Sequence, residues 1–126
     1  MKIVRTLNVA PTAPGEARRS LVSLDRVIPS DRLDDLRIMV SELVTNSVMH
    51  SGLKGGEPIS LLVKVLPERV RVEVADPGRR FPDTSRRPRK NHGRGLMIID
   101  RLADRWGTER GRQTKVWAEI PLPSTA

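Results

Sequence analysis

The chain has 126 residues, enough for one domain with its own core and too few for two. Its 37% hydrophobic and 30% charged residues match a soluble globular composition, and the absence of cysteine excludes disulfides and thiolate metal sites. His50 and His92 are the only histidines, no apolar run approaches a membrane span and the N-terminus has no signal-peptide h-region, so a cytoplasmic protein is expected.

Residues 2–9 alternate as a strand, with Ile3, Leu7 and Val9 of one parity. Residues 10–15 hold two prolines and read as a turn. Ala17, Leu21, Leu24 and Ile28 then predict a helix over 16–28, ended by Pro29. Ser30 or Asp31 can cap a second helix, which runs to about His50 with Leu33, Leu36, Val40, Leu43 and Val44 as its apolar stripe. Residues 51–58, with three glycines and a proline, form a loop.

Ile59, Leu61, Val63 and Val65 alternate in a strand, and after the Pro67-Glu68 turn Val70, Val72 and Val74 alternate in another, whose parity runs on to Asp76. A proline-broken basic segment follows. Gly93–Gly95 open a short helix from Leu96 to about Asp104, and residues 106–110 and 113–121 form a closing hairpin around Gly111, with Thr114, Val116, Ala118 and Ile120 on one face. The order predicts an α+β two-layer sandwich, in which three helices cover one face of a mixed, mostly antiparallel sheet.

The net charge of +8 is unevenly spread. Residues 79–94 carry Arg79, Arg80, Arg86, Arg87, Arg89, Lys90 and Arg94 against Asp83 alone, and acids and bases nearly balance elsewhere. Such a segment suits phosphates, nucleic acid or an acidic partner, or is simply a solvated loop. Nucleic acid is disfavoured as the partner, because base stacking recruits aromatic side chains and Phe81 is the only one in the segment.

Four features carry candidate chemistry. Glu42 and Asn46 lie four apart on the second helix, so they stack on one side of it, beside the apolar stripe. A carboxylate and an amide oxygen are hard ligands suited to Mg²⁺, which takes its other oxygens from phosphates and water. Asp76 has the parity of three buried valines, where an unpaired charge is costly; a purine amino group is a suitable donor, and Gly78 lets the chain pass close to a ring. Gly93-Arg94-Gly95-Leu96 offers free helix N–H groups and a fixed cation to an anion. Thr114 is an inward threonine on the last strand. Each feature alone has an ordinary structural explanation: a polar helix shoulder, a strand-end turn, a helix start, core filler.

Taken together, the order and spacing resemble the ATPase domain shared by gyrase and histidine kinases, the Bergerat fold. Glu42 and Asn46 match its N box, Asp76-x-Gly78 its first glycine box, Gly93-x-Gly95 its second, and Thr114 its final-strand threonine. Ala17-Arg-Arg-Ser-Leu21, Ser41-Glu-Leu-Val-Thr-Asn46, His50-Ser-Gly52, Gly93-Arg-Gly-Leu96 and Ala103-Asp-Arg-Trp-Gly107 look like the stand-alone actinobacterial anti-sigma regulatory factors and serine/threonine kinases. The resemblance implies ATP and Mg²⁺ as cofactors. Asn46 would hold the metal and Glu42 would act as general base. Asp76, Gly78 and Thr114 would meet adenine, Gly93, Arg94, Gly95 and Leu96 would lie at the phosphates, and residues 79–92 would form the ATP lid. It also implies a STAS-type anti-anti-sigma protein as substrate, a sigma factor as the sequestered partner, and a homodimer as the assembly.

The sequence departs from that pattern, first in a lid that is short and punctuated by prolines. Arg80 stands where the first glycine box usually has its second glycine, from which it could crowd the lid hinge or reach the phosphates, and Met49 stands where relatives often carry a basic residue. These departures give a second expectation, a catalytically degenerate module of the same fold that regulates by protein binding.

Overall fold

The computed structural model describes residues 1–50, 55–77 and 94–123. In chain order the elements are β1 (Lys2–Asn8), α1 (Ala13–Arg19) continued by a 3-10 turn (Ser20–Leu24), α2 (Ser30–His50), β2 (Pro58–Val65), β3 (Arg69–Asp76), α3 (Arg94–Leu102), β4 (Arg105–Arg110) and β5 (Thr114–Pro121). The strands form one sheet in the order β1-β2-β3-β5-β4, and each neighbouring pair is antiparallel. The α+β two-layer architecture is therefore observed, with the sheet antiparallel throughout the described strands. None of the described helices is long and apolar enough to cross a membrane.

Period-two alternation builds the sheet half of the core. Ile59, Leu61 and Val63 of β2 face Val74 and Val72 of β3, all of them buried, and Ala118 and Ile120 extend the layer into β5. The helical half comes from Ala17 and Leu21, from Leu36, Val40, Leu43 and Val44 of α2, and from Ile99 of α3, all in the same buried cluster.

The first helical region differs from its sequence reading. It begins at Ala13, because Pro14 occupies the first turn, where its missing N–H has no intrahelical partner to lose. It does not run to Ile28. The Ser20 hydroxyl donates back to the Ala17 carbonyl at 2.7 Å, and the chain tightens into the 3-10 turn ending at Leu24. The start of α2 is also corrected. The Pro29 carbonyl accepts the Leu33 N–H at 2.9 Å, so Pro29 takes the capping position expected for Ser30 or Asp31, and Asp31 lies in the first turn, favourable to the helix dipole. In the loop before β2, Gly56 adopts φ +89°, a left-handed conformation that favours glycine.

The helix-free face of the sheet is closed across β3, β5 and β4 by charge. The buried Glu119 carboxylate accepts hydrogen bonds from Arg69 (3.1 Å), Arg71 (2.9 Å) and Arg105 (2.7 and 3.1 Å). Glu73 extends the network to Arg71 at 2.8 Å and Lys115 at 3.2 Å. The Arg71 guanidinium also lies over the Trp117 ring, 4.3 Å from its centroid.

Trp117 is directly opposite Gly107 on β4 and fills the space a side chain would take. A Cβ at position 107 would sit 3.0 Å from two atoms of the indole ring and 3.1 Å from a third. With Arg71 stacked on it, the ring cannot swing away without losing that contact. Gly107→Ala should therefore destabilise the fold by about 1–2 kcal/mol, as overpacking does. Thermal unfolding checks this; an unchanged midpoint would show that Trp117 yields freely.

Candidate functional site

The polar site grows from the end of the α2 stripe. Leu36, Val40, Leu43 and Val44 recur at the spacing of three and four that keeps one helix face toward the sheet, and Ser47 is the next residue on that line. Ser47 is 7% exposed. A hydroxyl so placed needs a polar partner, and the partner is Asp76: Ser47 Oγ donates to Asp76 Oδ2 at 2.9 Å.

Asp76 is the last residue of β3 and keeps the inward parity of Val70, Val72 and Val74; it is 4% exposed. Burying a carboxylate is expensive unless donors surround it. Its direct neighbour across the β3–β5 pair is Thr114, half-buried at the start of β5. Asp76, Ser47 and Thr114 thus meet where the C-terminal half of α2 passes over the end of β3.

Asn46 precedes Ser47 and is half-buried, as is Glu42. They lie one turn apart, about 6 Å along the α2 axis at 1.5 Å per residue. On the other side of Glu42, Ser41 accepts a hydrogen bond from Arg18 Nη1 at 2.8 Å, which ties α1 to this part of α2. Arg94 and Gly95 begin α3, which packs on α2, and Leu96 is half-buried in its first turn. The structure thus brings Asn46, Asp76 and Thr114 to one end of the sheet, with Glu42 a turn away. The positions Gly78, Arg80 and Gly93, and the proposed lid 79–92, lie outside the described residues.

Ser47 has no place in the sequence reading, although a signal for it exists. It stands four residues after Leu43 and three after Val44, so a small polar residue continues a core stripe and calls for a buried partner. Its partner is 29 residues away, and only the fold reveals which it is.

The donor set suits a hard cation shared with phosphates. The described residues contain no group of three acidic, histidine or cysteine side chains that could cage a metal. Mg²⁺ does not require one: it commonly takes one or two protein oxygens and fills its octahedron with phosphate oxygens and water. The Asn46 amide oxygen, with the Glu42 carboxylate a turn away, fits that pattern.

Residues 7–120 match the histidine kinase-like ATPase domain. The chain is also 36% identical over 85 residues to an uncharacterized protein of Streptomyces coelicolor, a match covering 64% of this chain and 79% of the relative. Over residues 7–120, which include the helix that carries Asn46 and the strand that ends in Asp76, the chain belongs to the histidine kinase-like ATPase domain family.

Proposed function

We propose that the chain binds ATP with Mg²⁺ between the C-terminal half of α2 and the end of β3, and uses it to phosphorylate a protein serine. The observation that carries the reading is the buried Asp76 carboxylate, turned to the helical side and held by Ser47 beside Asn46. A carboxylate accepts several hydrogen bonds at once, so the Ser47 bond is compatible with a purine amino group as a further donor. Family membership supports the nucleotide.

Within this reading Asp76 orients adenine, with Thr114 alongside it and Gly78 near the ring. Asn46 supplies an oxygen to Mg²⁺, and Gly93, Arg94, Gly95 and Leu96 place backbone N–H groups and one guanidinium at the phosphates. The bound metal would neutralise charge on the transferred phosphoryl group. Glu42 is the base that draws the proton from the attacking hydroxyl, and Arg80 adds a cation at the edge of the site. The motifs shared with stand-alone actinobacterial regulators support the choice of partners. These are a STAS-type anti-anti-sigma protein as the serine substrate and a sigma factor held inactive, with a homodimer as the assembly.

Calorimetric titration of ATP with and without Mg²⁺ tests the core of the proposal. Wild-type protein should bind ATP·Mg²⁺ and lose affinity when the metal is chelated. Asn46→Ala should weaken binding by about tenfold and remove most of the metal dependence, the effect of deleting one charge-assisted ligand contact. No binding up to millimolar ATP would overturn it.

A further inference from the structure

Across β3, β4 and β5 the nucleotide reading assigns no role to one basic residue of inward parity, Arg110. Antiparallel register places Asp76 of β3 opposite Thr114 of β5, and Thr114 opposite Arg110 of β4, so the three form one row across the sheet. Two residues that share the parity of Arg110 show which way it faces. Trp106 lies opposite the buried Ala118, packs against the core, and donates from Nε1 to Asp100 of α3 at 2.9 Å. Thr108 lies opposite the inward Val116. The alternate residues of β4 serve the other face: Arg105 bonds Glu119, Gly107 lies beneath Trp117, and Glu109 is 3.9 Å from Lys115. Among the described residues of β3, β4 and β5, Arg110 is the basic residue with inward parity.

Exposure grades along the row from the buried Asp76 through the half-buried Thr114 to the exposed Arg110. Neighbouring strands are about 4.8 Å apart, so Arg110 starts about 10 Å from Asp76. An arginine side chain is long enough to span much of that distance. The row closes the β4–β5 hairpin, whose turn is pinned by the Gly111 N–H donating to the Gln113 carbonyl at 2.9 Å. The backbone of Arg110 is therefore set by paired strands and not by a free loop.

We infer that Arg110 is a further binding residue of the nucleotide site, taking the anionic part of the ligand whose base is held at Asp76. This deepens the ATP-binding reading and rests on it. A guanidinium presents a planar fork of charged donors that matches anionic phosphate oxygens, whereas adenosine carries no negative charge to pair with it. The preference is thus for phosphorylated nucleotides, with affinity for the nucleoside independent of Arg110. No bond is made or broken by this residue.

Titration of ATP, ADP and adenosine into wild-type, Arg110→Gln and Arg112→Gln protein tests the inference. Arg112 lies in the hairpin turn, outside the row, and controls for the loss of a nearby positive charge. Arg110→Gln should lower ATP affinity by about tenfold, lower ADP affinity less, and leave adenosine unchanged, with Arg112→Gln close to wild type for all three. Unchanged ATP affinity in Arg110→Gln overturns the inference alone. Equal losses for ATP and adenosine, or an equal effect from Arg112→Gln, also overturn it, since they report distortion or general charge. A wild-type protein that binds none of the three removes the ATP reading and this inference with it.

Discussion

Asp76→Asn should reduce ATP affinity by at least about 100-fold while the protein remains folded. The substitution keeps the size of the side chain at a buried position and removes its charge. It replaces one acceptor oxygen with an NH₂ donor that faces the donor it must accept from, whether that is the Ser47 hydroxyl or a purine amino group. Losing one charge-assisted hydrogen bond and creating a donor–donor conflict accounts for about 3 kcal/mol, which is the 100-fold. Ser47→Ala probes the same contact from the other side. It removes one donor from the buried carboxylate and should cost about 1–2 kcal/mol of stability, together with a smaller loss of affinity.

Glu42→Ala should give the opposite pattern, with ATP affinity close to wild type and phosphotransfer to the substrate serine lost. Calorimetry and a phosphotransfer assay on the same three variants separate binding from chemistry. Wild-type affinity in Asp76→Asn would remove adenine from this pocket, and retained transfer in Glu42→Ala would remove Glu42 from the base role.

The largest effect on stability should come from Glu119→Ala, on the opposite face of the sheet. The Glu119 side chain is 7% exposed and serves three arginines, so its removal leaves positive charges crowded together without their shared acceptor. Breaking a fully buried pair costs about 3–5 kcal/mol. Here the Arg105 side chain is 60% exposed and can recover water, so about 2–3 kcal/mol is expected, seen as a fall in the unfolding midpoint of about 10 °C. The exposed Arg37–Asp34 pair makes a useful contrast, since its loss should change stability by less than about 1 kcal/mol.

The same cluster predicts a pH dependence. Burial works to raise the Glu119 carboxyl, but hydrogen bonds from Arg71 and Arg105 and their charges outweigh it and hold the group below the usual range. Glu73 is likewise lowered, with hydrogen bonds from Arg71 and Lys115 overcoming its burial. Both carboxyls bind protons more weakly in the folded chain than in the unfolded one. Their contribution is complete above the ordinary glutamate value of about 4.3 and is lost as pH falls through the lowered folded values. Acid unfolding of Glu119→Ala should show a shallower loss of stability below that point; an identical acid limb in wild type and variant would deny the cluster this role.

Much of the fold is legible in the residues because its elements are strongly periodic. The alternating valines of β2 and β3 and the stripe of α2 bury surface in only one way, so parity alone turns Asp76 inward. The helix boundaries were less legible, since they depend on local hydrogen bonds that periodicity does not encode. Ala17 and Leu21 fit a continued helix as well as they fit one that tightens at Ser20, and it is the Ser20 hydroxyl on the Ala17 carbonyl that accompanies the change.

By itself, then, the sequence determined the two-layer architecture, the inward carboxylate at the end of β3 and the Glu42–Asn46 side of α2, because each follows from a repeat of 2 or 3.6 residues within a single element. Tertiary structure alone decided which groups meet across elements. Ser47 finds Asp76, three arginines converge on Glu119, Trp117 lies over Gly107, and Arg110 joins the row that begins at Asp76. The physical reason is that strand register and helix placement set these contacts between residues distant in the chain, and neither is encoded in the pattern of any one segment.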